Sequence, residues 1–127
     1  MKEYLLLFRG GYDRVTARPE QDFLSHMDKW KKWMDDLQMQ KVFIAAQPLG
    51  PTGKQVVGKS KAVTDGPFVE GKEIVGGYLI CKALSYEEAI TIAEGCPVLE
   101  AGGMVEVREI TEMDDITDSY LKGRKAE

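Results

Sequence analysis

An α+β domain, with an antiparallel sheet carrying both of its helices on one face, is the fold class the sequence predicts. Three observations predict it: apolar runs of strand length set between short turn clusters, two separate stretches of helical periodicity, and the absence of any internal repeat. With 127 residues and 43% hydrophobic content, the chain has material for one core without help from disulfides or metal.

The first strand is Tyr4 to Phe8, an unbroken apolar run ended by Arg9-Gly10-Gly11. A helix follows from Pro19, which suits a first turn because its missing N–H has no partner there, and Glu20 and Asp22 favour the positive end of the helix dipole. Phe23, Met27, Trp30, Met34 and Leu37 recur at steps of four and three, a stripe about 80° wide that predicts the face turned to the sheet. Lys41 to Leu49 reads as a second strand. After the turn cluster Gly50-Pro51-Thr52-Gly53, Gln55 to Val63 reads as a polar strand at an edge. Ile74 to Lys82 is another apolar strand, whose paired Gly76 and Gly77 mark a bend or a close approach. Ser85 with Glu88 three residues on is a capping box, opening a helix that turns Tyr86, Ala89, Ile90 and Ala93 inward before Gly95 stops it. Met104 to Ile110 is the last strand. The order is β-α-β-β-β-α-β, the ferredoxin-like layout.

Two helices clothe only one face of such a sheet. Three strands are apolar on both sides, so the other face would expose more than the roughly 300–600 Å² patch of an ordinary monomer. A second copy packed sheet on sheet covers it, and the expectation is therefore a homodimer of the dimeric α+β barrel type. Residues 111–127 follow as a C-terminal extension, readable as a short helix over the partner or as a loose tail.

Composition removes several function classes. A formal net charge of −4, with lysines scattered among acids, leaves no stripe for a phosphate backbone, so no nucleic acid is expected. The five-residue apolar run near the N-terminus is far shorter than a signal peptide or the ~20 residues of a membrane span, which points to a cytoplasmic protein without a membrane partner. Cys81 and Cys96 lack any CxxC or Cys/His spacing and read as free, small buried hydrophobes. With one histidine and no clustered carboxylate motif, no transition-metal site is expected, and the function is expected to need no cofactor.

The segment VTDGPFVEGKEIVGGY, with Asp65-Gly66-Pro67-Phe68 followed by Glu70, Lys72, Glu73 and Gly76-Gly77, closely resembles the signature of YCII-related, DGPF-domain proteins. The opening EYLLLFRGG, the phrase HMDKWKKWM, the stretch AAQPLGPTGKQV and the closing EGCPVLEAGGMVEVREI resemble the same family in order and spacing, so residues 1–110 are read as the YCII-related DGPF domain. The resemblance implies a dimeric barrel with a cleft on each subunit, related in fold to muconolactone isomerases and antibiotic-biosynthesis monooxygenase-like proteins. It implies no one reaction. For the site it implies a catalytic His–Asp pair, which would be His26 and Asp65 here, and some relatives resemble partners encoded beside extracytoplasmic-function sigma factors.

Each of these residues also has a plainer reading. His26 lies about 60° from the centre of the predicted stripe with Trp30 and Trp33 on either side, which places it at the margin of the core. An imidazole half desolvated there suits proton transfer near neutral pH; it equally well just borders the core. Asp65 either orients that imidazole or belongs to a turn in which Pro67 fixes φ and biases Gly66 toward extended backbone. Trp30, Trp33 and Phe68 are core aromatics or the walls of an apolar substrate cleft, and Lys72 is a solvated loop charge or the binder of a substrate carboxylate. Arg9, Arg14 and Arg18 gather near the end of the first strand and would attract an anion, or simply charge the surface. Two functions stay open: a small cofactor-free enzyme moving a proton on a small organic substrate, or a non-catalytic ligand-binding or regulatory module associated with a sigma-factor-type regulator.

Overall fold

The computed structural model describes residues 1–11, 18–66 and 74–125. Its elements are β1 (Lys2–Arg9), α1 (Glu20–Met39), β2 (Phe43–Pro48), β3 (Lys54–Val57), β4 (Ala62–Asp65), β5 (Val75–Ala83), α2 (Tyr86–Glu94), a 3₁₀ turn (Pro97–Leu99), β6 (Met104–Glu109) and α3 (Met113–Lys125). Four strands make the main sheet in the order β2-β5-β1-β6, every pairing antiparallel, while β3 and β4 form a separate ribbon. With that ribbon set aside, the strand order is the ferredoxin-like one the sequence predicts.

Alternation sorts β1 between two environments. Tyr4, Leu6 and Phe8 are buried and stand level with Cys81, Leu79 and Gly77 on β5, whereas Leu5 and Leu7 point to the other face and are only half-buried. Helices α1 and α2 lie on the Tyr4–Phe8 side. Tyr86 of α2 meets the Tyr4 ring edge-on at 5.0 Å, and Trp30 and Trp33 of α1 meet the Phe8 ring at 5.0 and 6.0 Å. The core is the layer between, with Leu6, Leu79, Cys81, Ala89 and Leu37 among its members.

The paired glycines do what the sequence expects of them. A Cβ on Gly77 would sit 2.9 Å from the Gln47 carbonyl oxygen and 3.5 Å from the Phe8 ring, and the β1–β5 register slips between Phe8 and Arg9, beside Gly76. Ser85 accepts the Glu88 N–H at 3.3 Å, as the capping box requires. Gly95 ends α2 for a different reason from the one expected. Its φ of −83° needs no glycine, but a Cβ there would lie 3.0 Å from the Trp33 indole nitrogen.

Several details differ from the sequence reading. The single polar strand from Gln55 to Val63 is two strands, because Gly58 and Lys61 both take positive φ and Lys61 N–H closes onto the Gly58 carbonyl at 3.1 Å. Tyr86 and Ile90 are exposed where an inward position was expected; Ala89, Ala93 and half-buried Ile92 make the inner face of α2. Of the two readings left open after the last strand, a helix is the one formed, over Met113–Lys125, with Met113, Ile116 and Tyr120 exposed. Among the described residues no helix is long and apolar enough to cross a membrane.

The face of α1 is the consequential correction. Its buried residues are His26, Trp33 and Leu37, with Met27, the predicted stripe member, 45% exposed. At 100° per residue Trp33 and Leu37 fall about 20° to either side of His26, so the inward face is turned about 60° from the predicted stripe and centred on the histidine. Tryptophan buries more area than methionine, and Phe8 gives Trp33 an aromatic partner. The helix rolls accordingly.

Candidate active site

His26 is 2% exposed, the one polar side chain of the described core. Trp30, one turn on, donates its indole Nε1–H to His26 Nε2 at 3.0 Å, a contact the i,i+4 spacing makes possible. The imidazole Nδ1 is buried without a partner among the described residues. Trp33 donates its own Nε1–H to the Ile92 carbonyl at 3.2 Å, which ties α1 to α2. The two indoles stand edge to face at 5.8 Å, and Phe8 closes the aromatic cluster from the sheet. The imidazole therefore borders this aromatic cluster through Trp30, whose ring centroid lies 6.4 Å from its own.

Charged groups act on the imidazole. Burial pushes the His26 pKa below the ordinary 6.5, the Arg18 guanidinium adds to that, Glu100 opposes it and Lys29 reinforces it. Lys29 and Glu100 bond each other at 3.0 Å, joining α1 to the residue after the 3₁₀ turn. Hydrogen bonding to Lys29 holds the Glu100 carboxyl below its usual range.

The expected residues are not all brought together. Asp65 stands at the exposed end of β4, where its carboxylate accepts Lys54 Nζ at 2.6 Å. His26 takes its hydrogen bond from Trp30, and Asp65 is not among the charges acting on it. Trp30 lies against His26, and Trp33 lies against Trp30. Phe68, Lys72 and Arg14 lie outside the described residues. Sequence reasoning missed Phe8 as the partner of both indoles, although its alternation with Leu7 was a signal; for Glu100 beside Lys29 no signal was available. Burial raises the Cys81 thiol to about 11 and the Cys96 thiol to about 12, so both free cysteines stay protonated and unreactive near neutral pH. Among the described residues no three His, Cys, Asp or Glu side chains gather closely enough to hold a metal ion.

A depressed histidine pKa has a direct stability consequence. The unfolded chain takes a proton on His26 near pH 6.5, whereas the folded chain resists it, so its titration takes nothing from stability above about pH 6.5 and lowers stability as the pH falls from there toward the folded value. Urea melts at stepped pH are expected to show that loss in the native sequence, and His26→Leu is expected to flatten it. Parallel slopes for the two proteins would contradict a neutral buried imidazole.

Comparison with known proteins adds a family and a fold. A family model described as the YCII-related domain matches residues 8–114. Among curated proteins none matches. The solved structure of 5-chloro-2-hydroxyhydroquinone dehydrochlorinase from Burkholderia phenoliruptrix AC1100, in complex with 2,5-dihydroxybenzoquinone, is similar with a TM-score of 0.53 and 16% identity, over 89% of this chain and 97% of that one. At that identity the likeness is one of fold.

Proposed function

Because the chain belongs to the YCII-related domain family, whose model spans residues 8–114, we propose that it is a small cofactor-free enzyme acting on a small oxygen-bearing organic compound beside His26. The observation that carries the reading is the buried Nδ1, which has no partner among the described residues. An unmet buried polar atom costs about 1–3 kcal/mol, and such a cost persists where a ligand completes the hydrogen bond. Trp30, Trp33 and Phe8 supply apolar walls for a flat ring, and Arg18 supplies positive charge at the rim. Phe68 and Lys72 are proposed to complete the cleft. Asp65 enters the proposal as a residue of the hairpin leading to that segment; it is bonded to Lys54 rather than to the imidazole.

The similar fold is that of a dehydrochlorinase solved with a dihydroxyquinone, which makes hydroxylated quinones and their chlorinated precursors the first compounds to screen. Turnover abolished by His26→Ala is the supporting result. Saturable binding without turnover of any such compound would instead favour the ligand-binding or regulatory module.

The working unit is proposed to be a cytosolic homodimer. Leu5, Leu7, Tyr78 and Ile80 lie half-exposed on the face opposite α1 and α2, a surface that a second sheet would cover. Sedimentation at micromolar concentration is expected to give a two-copy particle, and a stable single copy would remove this part of the proposal.

A further inference from the structure

Resting on the reading of His26 as the group that meets the ligand, we infer that Trp30 is a positioning residue. Its indole N–H holds the imidazole in the tautomer protonated on Nδ1, and the ligand taken there presents an anionic oxygen to that Nδ1–H. An indole nitrogen only donates, so His26 Nε2, 3.0 Å from it, must offer its lone pair. The neutral ring then carries its one proton on Nδ1, the buried atom that has no acceptor among the described residues. A second proton on Nε2 would set two donors against each other and break the bond to Trp30.

The surroundings select the sign of the ligand. The charged groups facing the ring are Arg18 before α1, Lys29 on α1 and Glu100 beyond the 3₁₀ turn. Lys29 and Glu100 neutralise each other, which leaves the Arg18 charge as the net field at the ring. That field disfavours an imidazolium and favours a carboxylate, phenolate or enolate oxygen. With its lone pair taken by Trp30, His26 is no base in this state. It stabilises negative charge on the ligand oxygen by a fixed hydrogen bond.

The single histidine makes the test clean. Long-range ¹H–¹⁵N spectra of the whole chain, labelled in histidine, are expected to show Nδ1 protonated and Nε2 bare near neutral pH. Trp30→Phe keeps a ring against Phe8 but has no N–H; it is expected to give a tautomer mixture with Nε2–H and to move the titration midpoint up toward the ordinary histidine value. Adding 2,5-dihydroxybenzoquinone is expected to shift the Nδ1–H proton downfield, and its neutral dimethyl ether is expected to bind at least about tenfold more weakly. A native ring protonated on Nε2, or a tautomer unchanged in Trp30→Phe, overturns the positioning role, and equal binding of the ether overturns the ligand class. If Trp30→Phe does not fold, the native spectrum alone decides the tautomer. An Nδ1–H ring that binds the probe without turnover supports the inference and defeats only the enzymatic reading, whereas turnover by a chain whose ring is Nε2–H does the reverse.

Discussion

Phe8→Ala is expected to lower stability by about 3–5 kcal/mol, the range for emptying an aromatic site in a packed core. The ring is 7% exposed, lies edge-on to both indoles at 5.0 and 6.0 Å, and is the part of β1 on which α1 rests. Its neighbours have little room to collapse into the void, since Gly77 and the β2 backbone already approach closely on the sheet side. In a domain of this size the loss corresponds to a melting point lower by on the order of 10–20 °C. Ligand affinity should fall as well, because Trp30 loses the surface that holds it over His26. Thermal melts of Phe8→Ala beside Phe8→Leu check this. A cost below about 1 kcal/mol would mean that α1 is held to the sheet by something other than the aromatic cluster.

His26→Ala is expected to reduce turnover by about 10²–10³-fold on any substrate found, the effect of removing one preorganised donor from a developing negative charge. Stability should move much less than in Phe8→Ala. The substitution removes a buried polar atom without a partner among the described residues, which partly offsets the packing lost and the Trp30 N–H left without its acceptor. Steady-state kinetics together with urea melts separate the two effects. A turnover loss that merely tracks unfolding, or none at all, would assign the chemistry to other residues.

Strand alternation and helix caps made most of the fold legible in the sequence. The apolar run from Tyr4 to Phe8, the Gly76-Gly77 pair and the Ser85–Glu88 box each state a local requirement that tertiary packing leaves unaltered. The β3–β4 turn was hidden because Lys61 takes positive φ without being glycine or asparagine, so only Gly58 signalled it. The site was legible in part. The spacing of His26, Trp30 and Trp33 put these rings together, but the depth of His26 depended on how α1 rolls over Phe8, which periodicity alone misjudged by favouring Met27. Asp65 was matched to His26 by residue type and chain position. Its carboxylate lies within reach of Lys54, directly across the ribbon, and a cross-strand neighbour is the nearer partner.

The function proposed for this chain turns on whether a bound molecule completes the hydrogen bonding of one sequestered imidazole. Crystals grown with 2,5-dihydroxybenzoquinone test it most directly. The account predicts a ligand oxygen within about 3 Å of His26 Nδ1 while Nε2 keeps its bond to Trp30. A molecule bound elsewhere, for instance on the open face around Leu7 and Tyr78 with Nδ1 still unmet, would contradict it.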